Sequence, residues 1–76
     1  MKHRVAEQVV PVILEVTRKL NATIALVQQE CTEEEFIAYR RAAGHAMGYL
    51  FADIVRPIFH EHPDLEPEEL RDPHQA

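Results

Sequence analysis

The sequence predicts an all-α fold: an antiparallel hairpin of two long helices with a short C-terminal helix, dimerising into a four-helix bundle. Three observations predict it. Apolar residues recur at spacings of three and four over both halves of the chain, as on one face of a helix. The stretch "CTEEEF", residues 31 to 36, reads as a helix start and divides those halves. And 76 residues bury too little surface for a robust single core. Chains this small usually add disulfides, a metal or a second subunit.

In the first half, Val5, Val9, Val12, Val16, Leu20, Ile24 and Val27 advance by three or four residues each time. Valine and isoleucine favour strands locally, but "VILEVTRKLNATIALV" does not alternate as a strand requires. The spacing predicts a helix over residues 3–30, with this row as its apolar face. Pro11 removes one backbone hydrogen bond and frees the Glu7 carbonyl. It falls on the polar side of the wheel, where water can satisfy that carbonyl. Both a kink and a helix start near Pro11 fit the sequence.

The boundary that follows has a local cause. Thr32 is a favoured N-cap, and Glu35 three positions later completes a capping box. Cys31 and Phe36 flank the cap as a hydrophobic staple would. Glu33, Glu34 and Glu35 suit the positive end of a helix dipole. The second helix is expected over residues 33–61. Its apolar stripe is Phe36, Ile37, Ala43, Gly44, Met47, Leu50, Phe51, Ile54, Val55, Ile58 and Phe59. Pro57 predicts a bend within it. Each helix would be about 40 Å long, and the short loop makes them antiparallel neighbours. Beyond His62 the chain turns acidic and proline-rich. Pro67 can open a short helix at 67–71, which closes a single domain over residues 1–72. Residues 73–76 are expected to form a disordered tail.

Composition excludes several functions. A net charge of −5 argues against nucleic acid, which demands a basic patch. The longest apolar run, "VVPVIL", is far short of the roughly 20 residues that cross a membrane. Glu7, Gln8 and Glu15 spoil a signal-peptide reading of the N-terminus. The one cysteine, Cys31, forbids an internal disulfide and fits a reducing compartment. A cytoplasmic protein is the resulting expectation.

Four stretches could carry chemistry. "FHEHPD", residues 59 to 64, holds His60, His62 and Asp64 as weak metal candidates. On a helix His60 and His62 diverge by about 200°, and zinc sites on helices use i, i+3 or i, i+4 spacing. A solvated helix end is the better reading, so no metal and no cofactor is expected. Arg41, His45, Tyr49, Asp53, Arg56 and His60 form a polar row. His45 and Asp53 lie about 12 Å apart along one helix, too far for an acid–base pair, although a dimer axis could join them. The row reads first as a water-facing side. "AAGHAMG" places Gly44 and Gly48 one turn apart, and glycine within a helix costs about 1 kcal/mol relative to alanine. Close packing of another helix would explain them, or a ligand-sized gap. Arg40 falls within the apolar stripe and must either find a carboxylate partner or snorkel to water.

The apolar surface is wider than one partner helix covers. Val10, Ile13 and Leu14 add to the valine row and are expected to stay uncovered in a lone hairpin. A homodimer interface is therefore expected at Val9, Ile13, Leu14, Gly44, Gly48, Leu50 and Phe51. The function this implies is non-enzymatic: a small homo-oligomeric protein that acts by binding another protein. A carrier of a small molecule or metal, with its site near Gly44, His45 and Tyr49, is the alternative. A dimeric enzyme using the polar row across the two-fold meets no catalytic spacing.

Overall fold

A computed structural model of the chain describes residues 1–67. Beyond Pro67, the expected helix at 67–71 and the tail at 73–76 lie outside those residues. The described chain is all helical, without a strand among the described residues. Helix α1 spans His3–Glu30. Helix α2 spans Glu33–Tyr49 and continues through a π-helical segment, Leu50–Val55, into α3, Arg56–Glu61. A single 3₁₀ turn, Pro63–Leu65, follows. The second arm packs back along α1 as a hairpin.

The turn is built as its local chemistry dictates. Thr32 Oγ1 accepts from the Glu35 N–H at 3.2 Å, and Glu35 Oε1 accepts from the Thr32 N–H at 3.3 Å. Two amide groups that the helix start leaves without partners are thereby satisfied. The Cys31 N–H bonds back to the Val27 carbonyl at 2.9 Å and closes α1. Cys31 itself is exposed.

Pro11 neither starts nor ends a helix, because α1 runs through it without interruption. Pro11 and Glu7 are both exposed, so water reaches the carbonyl that the proline leaves free. Pro57 has a larger effect. Its ring crowds the carbonyl four residues back and it donates no hydrogen bond. The helix widens ahead of it, and the Arg56 N–H reaches the Phe51 carbonyl five residues back.

That widening resets which residues face inward. Ala43, Met47, Phe51, Val55 and Phe59 recur every fourth residue. In a straight α-helix such a row drifts by about 40° per step. The π segment takes up an extra residue and returns Val55 and Phe59 to the core, where they are 2% and 5% exposed. Ile54, expected within the buried stripe, is turned out instead.

The core sits at the open end of the hairpin. Ala6, Val10, Val55, Ile58 and Phe59 form it, with Val9, Ile13, Leu14, Phe51 and Leu65 packed against it. This corrects two expectations. The inward row of α1 is Ala6 and Val10, not Val5, Val12 and Val16, which are exposed. And Val10 is buried by the chain's own second arm, with Ile13 and Leu14 partly buried against it, rather than all three being left open. The α1 helix carries two apolar rows side by side, and it is the row containing small Ala6, with no exposed surface, that packs with Val55, Ile58 and Phe59. Toward the turn, burial thins. Ala43 is the one buried residue there among those described.

Candidate functional site

The open end is tied by a polar clasp between the start of α1 and the end of the second arm. His3 Nε2 donates to Asp64 Oδ2 at 2.6 Å, and His3 Nδ1 lies 3.2 Å from Glu7 Oε1. The Met1 ammonium meets Glu61 Oε1 at 2.7 Å. His62 Nε2 donates to the Met1 carbonyl at 2.9 Å, with Glu61 Oε1 3.0 Å away. The His3 and His62 rings meet edge to face, 5.1 Å between centroids. The hydrogen bond to Asp64 holds the His3 pKa above its ordinary value. The same bond lowers Asp64, and the Met1 ammonium lowers Glu61.

The metal candidates are thus separated. His62 and Asp64 both join the clasp with Met1, His3, Glu7 and Glu61, while His60 is exposed and takes no part. Among the described residues no group of three or more histidine, cysteine or acidic side chains is arranged to hold a metal ion. His3 was not among the residues singled out from sequence. Its signal was the hairpin itself, which returns the second arm's end to the start of α1.

The polar row is exposed along its length: Arg41, His45, Tyr49, Asp53, Arg56 and His60 all face outward. The side chains of His45, Tyr49 and Asp53 make no hydrogen bond or ion pair among the described residues. Arg56 places its guanidinium over the Phe51 ring, 5.4 Å from the centroid. Arg40 resolves its anomaly in the same manner, at 5.4 Å over Phe36, with its head in water. Around Gly44 and Gly48, a side-chain β-carbon would meet nothing within 4 Å. These glycines therefore serve no close crossing inside the hairpin.

The feature that stands out is an open apolar face. Exposed large apolar residues are Met1, Val5, Val12, Val16, Leu26, Ile37, Tyr49 and Ile54. At 100° per residue, Val5, Val12, Val16 and Leu26 form one row on α1, about 100° round from its inward face. On α2 the corresponding row is Ala38, Ala42, Ala46 and Tyr49, all exposed, continued past the π segment by Ile54. Two links place the rows on the same side of the hairpin. Thr23, from the valine row, hydrogen-bonds through Oγ1 to the Tyr39 hydroxyl at 2.6 Å. At the other end, Met1 and Ile54 share a cleft of about 290 Å³ with Asp53, Pro57, Ile58 and Glu61. Of the exposed large apolar residues, Ile37 alone lies on the opposite side, with Gly44 and Gly48.

No helix among the described residues is long and apolar enough to cross a membrane. Compared with known protein families, curated proteins and solved structures, the chain matches none.

Proposed function

We propose that this chain is a non-enzymatic interaction protein that self-associates, two hairpins forming a four-helix bundle, and acts by binding another protein. One observation carries the reading: the open apolar face formed by the Val5–Val12–Val16 row and the Ala38–Ala42–Ala46–Tyr49 row. The molecule is 44 Å long and only 17 Å in its thinnest dimension, a single layer of helices. Domains are ordinarily built from at least two packed layers, and a large exposed apolar patch marks an interaction surface. Val9, Ile13, Leu20 and Val27 point between the inward face of α1 and this open face, and each is half-buried. Such residues face the axis of a four-helix bundle once a second layer is added.

The carrier alternative has less behind it. Gly44, His45 and Tyr49 lie on open surface, and Tyr49 is 68% exposed. A small-molecule site requires a concave pocket that covers most of its ligand.

Sedimentation at micromolar concentration tests the proposal. A dimer or larger species is expected. A stable, fully helical monomer overturns it.

A further inference from the structure

From the same face we infer the arrangement of the partner: a second copy of this chain seats against it with the two hairpins pointing in opposite directions, α1 lying antiparallel on α1 and Val12 beside Val16 of the partner subunit. The inference rests on the self-association proposed above and adds to it the geometry.

The α1 row has the spacing of a helix–helix seam. Val5, Val9, Val12, Val16, Lys19, Thr23 and Leu26 alternate by four and three, the heptad pattern that keeps one face toward a partner helix.

Charge decides the direction. Glu30, Glu33, Glu34 and Glu35 crowd the turn, and no lysine, arginine or histidine occurs between Lys19 and Arg40. Two hairpins stacked in the same direction would bring two such clusters together. Opposed hairpins separate them by roughly the helix length, about 40 Å. They also bring Glu30 toward Lys2 and Arg4 of the other copy, at an α1 start whose first turn has no acid, and Glu33, Glu34 and Glu35 toward a second-arm end whose acids Glu61 and Asp64 are already paired with the Met1 ammonium and His3.

Charge also rules against one neighbouring register. A pairing centred near residue 14 sets Val12 beside Val16 and Val5 beside Thr23. A shift of one heptad toward the N-terminus sets Lys19 against Lys2 of the partner subunit, two like charges in contact. The alanines of the α2 row leave room for the second arms to approach. Thr23 is compatible with the seam. It donates to the Leu20 carbonyl at 2.6 Å, so the Tyr39 hydroxyl is the donor in their shared bond, and no group is left bare.

Cysteine pairing on the full chain tests the arrangement. In a Cys31→Ser background, Val12→Cys with Val16→Cys should give a covalent dimer in a glutathione redox buffer. Val12→Cys alone should not, because a disulfide cannot span α-carbons more than about 7 Å apart. A second measurement on the unaltered protein covers the case in which those variants fail to fold. Lys2 and Glu30 stand at opposite ends of α1, about 42 Å apart. A zero-length amine–carboxyl coupling between them can form only between copies, and it is expected in a mixture of isotopically light and heavy chains. A dimer by sedimentation that lacks the Lys2–Glu30 link, or that is joined by Val12→Cys alone, overturns the antiparallel arrangement and leaves self-association standing. A monomer overturns both.

Discussion

His3 and Asp64 stand 61 positions apart in sequence and share a hydrogen bond of 2.6 Å. With the Met1–Glu61 pair, this bond closes the end of the hairpin opposite the turn. Both ties depend on charge, so the clasp has a pH window. The His3 pKa is raised above its ordinary value near 6.5. Its contribution is complete below that value and is lost as pH rises through the folded-state value. Glu61 and Asp64 are lowered from about 4.5 and 3.8. Their contributions are complete above those values and are lost as pH falls through the folded-state ones. All the ties coexist between about pH 4.5 and 6.5. Thermal melts across pH should therefore place the greatest stability in that interval, and His3→Gln should flatten the alkaline side. The groups are solvent-exposed, so the effect is small and screened by salt. A His3→Gln profile that overlays the parent would show that the clasp is decorative.

The turn rests on one side chain. Thr32 accepts from the Glu35 N–H and donates its hydroxyl to Glu35 Oε1 at 2.9 Å. Thr32→Ala should cost about 1 kcal/mol, as for other N-cap losses. Denaturant melts of that variant check it, and identical midpoints would mean that the cap bears no load.

These two features differ in how far the sequence disclosed them. The capping box was legible because every atom in it lies within four residues. The helical character of both arms was legible from spacing alone. The clasp required knowing where the second arm ends relative to His3, which antiparallel pairing implies but no local motif announces. The inward row of α1 was misjudged for a different reason. Val5, Val12 and Val16 make the more hydrophobic row, yet small Ala6 lets α3 approach more closely, and packing overrode hydrophobicity. The π segment was legible only as a proline. Its consequence, the exchange of Ile54 for Val55 in the core, depends on Phe59 and Ile58 having a fixed place against Val10.

That exchange is open to measurement. Val55 is 2% exposed, and Val55→Ala removes about two methyl-sized groups at roughly 0.8 kcal/mol each and leaves a small cavity. A loss of about 2 kcal/mol is expected in urea or guanidinium unfolding. An uninterrupted α-helix would direct Ile54 inward and leave Val55 near the edge. A near-neutral Val55→Ala would then be the outcome, and the π register would be wrong.

The last expectation concerns metal and concentration together. His3 spends both ring nitrogens on Asp64 and Glu7, and His62 spends Nε2 on the Met1 carbonyl and Glu61. His60 is held on a different side of α3, and Pro63 ends the helix before a fourth-position ligand can appear. Carboxylates alone hold divalent ions weakly unless several converge. Stability should come instead from apolar burial between copies, which dilution weakens and chelation does not. A strong chelator is expected to leave the melting temperature unchanged. Tenfold dilution shifts a dimer's balance by about 1.4 kcal/mol. At roughly 2–4 °C per kcal/mol for a unit of about 150 residues, that lowers the midpoint by about 3–6 °C. Melts at two concentrations, each with and without chelator, separate the cases. A midpoint that falls with chelator makes the histidines ligands. A midpoint that ignores both chelator and dilution returns the chain to a self-sufficient monomer, with its apolar face left for some other partner.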